Sequence, residues 1–136
     1  MPEISSSSEP IFLALARIIS NAILAGTYKP GSQVPSTNEL ATFFKINPIT
    51  AGRALTVLTE QGILSKRRGV GTFVTQDAVA LLRASRIDEF TRTFIDPLLA
   101  EAKLLGISDR EIAQKIAERN NTLLGIETMS DPWKER

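Results

Sequence analysis

Residues 36–74 read STNELATFFKINPITAGRALTVLTEQGILSKRRGVGTFV, and the punctuation of this stretch decides the fold. Ser36 followed three residues later by Glu39 is the pattern of a capping box, in which a hydroxyl and a carboxylate each satisfy a free amide at a helix start. Leu40, Ala41, Phe43 and Phe44 supply the buried side of the short helix that this cap opens. Asn47 is a favoured N-cap and Pro48 falls at a first helical position, where a missing N–H costs nothing. A new helix therefore starts after a tight turn. Ala51, Ala54, Leu55 and Leu58 form its apolar face, while Ile49, Gly52, Arg53, Thr56 and Glu60 point the other way. Gly62 is its C-terminal stop. Residues 63–66 and 72–74 then read as two short strands around RRGVG, a hairpin with glycines at its turn.

Upstream, Pro10 opens a helix in which Ile11, Leu15, Ile18, Ile19, Ala22 and Ile23 recur at spacings of three and four. Gly26 ends it, and Pro30-Gly31 marks a turn in the loop GTYKPGSQVPS. The order helix, helix, helix, hairpin is that of a winged helix-turn-helix. Downstream, Ile87, Phe90, Phe94, Leu98, Ala102 and Leu105 mark a long amphipathic helix. Pro97 lies inside it, so a kink or break is expected near Asp96-Pro97. Gly106 stops that element, and Ser108 with Glu111 forms a second capping box ahead of Ile112, Ala113, Ile116 and Ala117. The fold class is α+β, mainly α: a flexible start at 1–9, a winged helix at 10–76, a two-helix region at 77–125 and a loose tail at 126–136.

Composition narrows the function. The 136 residues include no cysteine and no histidine, which removes thiol chemistry, cysteine-based zinc sites and the commonest general base. Carboxylates such as Asp88, Glu89 and Glu101 lie on a helix without a nucleophile or paired base, so the chain does not read as an enzyme and no cofactor is expected. The start MPEISSSSEP has no basic segment of a secretory signal, and the longest apolar run, residues 11–16, falls far short of the roughly 20 residues that span a bilayer. A cytoplasmic protein away from membranes is the expectation. The net charge of +1 hides an asymmetry, because residues 10–76 hold seven cations against two acids. That half is the one suited to a polyanion.

In a helix-turn-helix the first turns of the second helix face base edges in the major groove. This nominates Asn47, Ile49, Thr50 and Arg53, with Arg53 suited to guanine and Ile49 to a thymine methyl. Gly52 would let the helix backbone approach closely. Ser36, Thr37 and Asn38 stand at a helix start that favours phosphate. Lys66, Arg67 and Arg68, presented by Gly69 and Gly71, would neutralise phosphates or enter the minor groove. Each has a plainer reading: Asn47 and Ser36 as caps, Arg53 as a solubilising residue, the basic run as a solvated hairpin tip.

Taken together, GTYKPGSQVPSTNELA, FKINPITAGRAL and GILSKRRGVGTFV resemble the N-terminal winged helix of the GntR family of bacterial transcription regulators. Many members have arginine where this chain has Asn38 and a Ser-Arg pair where it has Asn47-Pro48, so those arginine contacts do not carry over. The Asn-Pro version is similar to the YtrA-type subfamily, whose short C-terminal part is two helices. The resemblance implies a homodimer that binds double-stranded operator DNA and represses its own or a neighbouring operon, often one for an ABC transporter. On this reading Ile87, Phe90, Phe94, Leu98, Leu105, Ile112 and Ile116 form the dimer interface, the twofold partner being the commonest cover for such faces. Control by a small-molecule effector stays open, with no ligand signature in view. The competing reading is a winged-helix interaction module whose basic wing binds an acidic protein.

Overall fold

In the computed structural model, residues 9–129 are described, with side chains to residue 123. The helices are α1 (Ile11–Leu24), α2 (Thr37–Phe44), α3 (Pro48–Glu60), α4 (Ala78–Phe90), α5 (Asp96–Leu105) and α6 (Asp109–Met129), with strands β1 (Leu64–Arg67) and β2 (Gly71–Val74) after α3. The chain divides into a compact unit ending at Asp88 and a second beginning at Glu89.

The helix ends form as local chemistry dictates. Ser36 Oγ accepts from the Glu39 amide at 3.1 Å, and the Ser36 amide donates to Glu39 Oε1 at 2.9 Å. Asn47 Oδ1 accepts from the Ile49 amide at 2.8 Å. At the end of α3 the Ile63 amide donates to the Leu58 carbonyl and the Gly62 amide to the Thr59 carbonyl, with Gly62 at φ +81°. This paired closure of a helix end requires a left-handed residue, which glycine supplies without steric cost. The turn between α2 and α3 has no glycine. Lys45 occupies it at φ 56°, the single non-glycine with positive φ among the described residues.

The core of the first unit gathers Leu15, Ile19 and Ile23 of α1, Leu40 and Ala41 of α2, the four apolar residues of α3, Val34, Ile63, Leu64 and Val74. Phe43 does not join it. It is 51% exposed and meets Phe44 edge-on at 5.0 Å, because the inward stripe of this short helix is Leu40, Ala41 and Phe44. Ile11 is likewise exposed; on α1 Phe12 takes the half-buried place beside the core.

The hairpin is antiparallel, with Leu64 opposite Val74 and Arg67 opposite Gly71. The preceding loop is more than a turn. The Gly31 amide donates to the Val74 carbonyl, the Val74 amide to the Ser32 carbonyl and the Val34 amide to the Thr72 carbonyl, all at 2.8–2.9 Å. Residues 31–34 thus lie along the other edge of β2 and satisfy its ladder groups. Gln33 faces Phe73 in this pairing.

The core also extends beyond Gln76. Ala78 and Leu82, one turn apart on α4, are 0% and 6% exposed and belong to the same cluster. Arg86 of α4 donates to Asn21 Oδ1 of α1 at 2.7 Å.

In the second unit Pro97 produces no break. Residues Thr91–Ile95 form a π-helical turn in which the Asp96 amide donates to the Thr91 carbonyl, and α5 follows directly. Proline lacks the N–H that an α-helix needs and crowds the carbonyl four residues back; one wider turn relieves both conflicts. Gly106, at φ +70°, closes α5, and the Ser108–Glu111 capping box opens α6. That helix continues past residue 125 to Met129, where a loose tail was expected. Residues 1–8 and 130–136, covering most of the expected flexible start and tail, lie outside the described residues.

The strain at Lys45 is testable. Left-handed backbone costs a side chain about 1 kcal/mol that glycine does not incur. Lys45→Gly should therefore raise the unfolding free energy by roughly that amount in urea titration, or by somewhat less after the unfolded chain's added freedom. A loss of stability would show that Lys45 makes a compensating contact.

Candidate nucleic-acid interface

Three elements of the first unit surround an open groove of about 690 Å³: the start of α2, the outward face of α3 and the hairpin. Its walls hold Ser36, Thr37 and Asn38 on one side, Ile49, Gly52 and Arg53 along α3, and Lys66, Arg67, Gly69 and Gly71 on the hairpin. Nine of the twelve residues nominated from the sequence for DNA thus line one concavity. Asn47, Thr50 and Arg68 do not, although Asn47 and Arg68 are exposed beside it. Gln33, Val34, Leu55, Thr56, Thr59, Glu60, Val70 and Thr72 also line the groove. Of these, Thr56 and Glu60 were legible on the outer face of α3, whereas Gln33 arrives through the non-local pairing of residues 31–34.

The polar atoms are partly committed. Ser36 Oγ and Asn47 Oδ1 accept from their own helices, so each is a cap first, with a hydroxyl proton or an amide NH₂ still free to donate outward. Ile49 is 74% exposed, an aliphatic side chain held in water at the start of α3.

The two groove arginines are held by rings. The Arg53 guanidinium carbon lies 4.0 Å from the centroid of Phe12, and that of Arg67 lies 4.5 Å from Phe73. Stacking occupies a guanidinium's face and leaves its N–H donors pointing outward in the plane. Among the described residues no salt bridge engages Arg53, Lys66, Arg67 or Arg68. The groove therefore carries cations without their own counterions, opposed by the carboxylate of Glu60 alone among its lining residues.

Two glycines shape it differently. Gly71 has φ +148°, and a β-carbon there would overlap the Gln33 side-chain amide, which reaches over to donate to the Val70 carbonyl at 3.2 Å. Gln33 thus braces the hairpin tip. A β-carbon at Gly52 would meet Thr37 Cγ2 at 3.7 Å, an ordinary contact. Packing of the protein itself does not require glycine there.

This is the architecture of a known group of regulators. Residues 13–74 match the profile described as "Bacterial regulatory proteins, gntR family". An uncharacterised helix-turn-helix transcriptional regulator of Bacillus subtilis, YhcF, is 32% identical over 110 residues, covering 81% of this chain and 89% of its own. The chain belongs to the GntR family. The repressor YtrA of the same bacterium is 30% identical over 112 residues, which cover 82% of this chain and 85% of that protein. A solved GntR regulator from Listeria monocytogenes superposes with a TM-score of 0.72 at 31% identity, covering 84% of this chain and 98% of its own. Membership makes the chain a transcription regulator with a DNA-binding winged helix, and not an enzyme.

The contrast between the glycines can be checked by denaturant unfolding. Gly52→Ala should leave stability unchanged or raise it by up to about 1 kcal/mol, the helix propensity difference. Gly71→Ala should lower it by about 1 kcal/mol or more, from the backbone strain at positive φ. If the two variants unfold alike, the wing is not pinned by Gln33 and the backbone of Gly71.

Proposed function

We propose that this GntR regulator binds operator DNA as a homodimer in the cytoplasm, with α3 in the major groove and the hairpin over the adjacent backbone, and represses its own or a neighbouring operon. The observation that carries the reading is the one groove that joins the outward face of α3 to a basic wing without a salt-bridge partner among the described residues. A polyanion is the ligand such a surface fits, since each neutralised phosphate releases condensed counterions.

The roles follow from position. Ile49 and Arg53 face base edges from the groove, Thr50 reaches DNA from beside it, and Asn47 caps the helix and donates from its free NH₂. Ser36, Thr37 and Asn38, at the start of α2, hold a phosphate. Lys66, Arg67 and Arg68 take the backbone beside it, and Gly69, at φ +75°, lets the wing tip turn tightly enough to present them. Repression is supported by the YtrA repressor among relatives of matching length.

Dimerisation is supported by apolar surface. Ile87, Phe90, Phe94, Leu98, Leu105 and Ile116 are 40–63% exposed, and Ile112 is half-buried. The Phe90 and Phe94 rings meet at 5.7 Å between centroids with their planes tilted by 47°, forming one apolar knob. Apolar surface of this kind usually marks an interface, and twofold pairing is the commonest way to cover it.

Fluorescence anisotropy on the upstream DNA of its own gene, against a scrambled duplex, tests the reading across a salt series. Tight, selective binding that weakens steeply with salt is expected. Arg67→Ala should weaken binding to both duplexes and reduce the salt slope by about 1, whereas Arg53→Ala should narrow the gap between them. Salt-insensitive binding without sequence preference would instead favour an acidic protein as the partner of the wing. Sedimentation should give twice the 14.9 kDa chain mass, and Phe94→Glu should return the monomer; an unchanged dimer would place the interface elsewhere.

A further inference from the structure

We infer that Phe12, on the first turn of α1, is a positioning residue for DNA recognition that acts through Arg53. The inference rests on the operator-binding reading above and adds to it a residue outside the helix-turn-helix and the wing.

The geometry is specific. Phe12 is 41 positions before Arg53 in the chain, yet its ring lies under the guanidinium with 4.0 Å from centroid to carbon. The ring is itself fixed, being partly buried against the core cluster that holds α1 to α3. Arg53 is exposed and, among the described residues, has no carboxylate partner. An exposed arginine otherwise samples many rotamers, and ordering it on binding costs conformational entropy. A ring beneath the guanidinium removes much of that cost in advance. It leaves the donor edge free, because stacking uses the face and hydrogen bonding uses the plane.

The arrangement also explains why a phenylalanine suits this place better than a leucine of similar hydrophobicity. Either would fill the space beside the core. Only the aromatic ring offers a negative face to a cation. Phe12 needs no contact with DNA of its own.

The test is a double-mutant cycle on the full-length protein, using the duplex that the wild type selects. Phe12→Leu is expected to weaken binding to that duplex by about three- to tenfold, the range of an exposed cation–π contact and a lost preorganisation. In the Arg53→Ala background the same change should have no further effect. Phe12→Trp should restore most of the loss, since tryptophan is the stronger cation partner. Because Phe12→Leu could also loosen α1, a second probe leaves the packing alone: phenylalanine at position 12 carrying three ring fluorines, which drains the negative face while keeping the shape. It should weaken binding as Phe12→Leu does, with a melting temperature lowered by no more than the few degrees that one exposed cation–π contact is worth.

Equal losses in the presence and absence of Arg53 would overturn the inference and leave Phe12 as packing. So would a fluorinated ring that binds as the wild type does. Failure of the operator reading is separately visible: the wild type itself would then not distinguish the selected duplex from scrambled DNA.

Discussion

Ala51 and Ala54 of α3 are fully buried, with no accessible surface at either, and the first unit depends on that contact. A helix can be approached closely only where its side chains are small, and α3 must be approached by both α1 and α2. Larger residues at these positions would push α1 and α2 away and open the angle between the start of α2 and the hairpin. The groove would then lose its walls, although no groove residue had changed. Packing density makes such displacements costly. The same helix carries Leu55 and Leu58 inward on the flanking positions, so its outward face is left with Ile49, Arg53, Thr56 and Glu60 by periodicity alone. The surface proposed to meet DNA is what remains after the core has been satisfied.

From that helix the chain is led out by a second constraint. Gly62 reverses the backbone at the end of α3, and the next residues, Ile63 and Leu64, bury at once. Leu64 pairs with Val74, itself buried, so the base of the hairpin is anchored in the core while its tip projects. Residues 31–34 and the Gln33 amide then hold β2 and the tip from the other side. A two-stranded ribbon is marginal in water by itself. Here it is braced at both ends, and among the described residues no salt bridge engages its cations. Arg67 on Phe73 repeats on the wing what Arg53 on Phe12 does on α3. Aromatic support orders a guanidinium without neutralising it, which an aspartate partner could not do.

Much of this was legible in the sequence because the decisive signals are local. Ser36 with Glu39, Asn47 with Pro48, and Gly62 each specify a helix end through neighbours within a few residues. The alternation of buried and open faces on α3 is likewise a matter of period. What was not legible depends on partners far apart in the chain. The pairing of residues 31–34 with β2 joins segments some forty positions distant, and a loop rich in proline and glycine gives no strand signal. Ala78 and Leu82 read as the start of another region because no local feature tells which core a helix will fill. Phe43 looked buried beside Phe44 since both are aromatic, but a helix of eight residues has room for one narrow stripe. Lys45 gave no warning of positive φ, which is normally announced by glycine or asparagine. At Pro97 the conflict was visible and its resolution was not: a kink, a break and a widened turn all answer the same missing N–H.

The two kinds of surface, in the roles proposed for them, would respond differently to the same solvent variable. Binding of DNA by uncompensated cations releases counterions and so weakens as salt rises. Burial of Phe90, Phe94 and Leu98 against a second copy, as proposed, releases no counterions; salt leaves it unchanged or, for strongly hydrated anions, strengthens it. The proposed dimer would stay assembled while its hold on DNA is loosened. For such a dimer, affinity for DNA would be set by the groove and by the spacing of two grooves, rather than by the concentration of subunits. Two modest grooves fixed at one separation act with a high effective concentration on a matching site, and with little on a site of wrong spacing. Selectivity would thus reside partly in the helices that touch no base, which is why their apolar faces, with Leu104 left 83% exposed beside them, belong to the account of DNA recognition as much as Arg53 does.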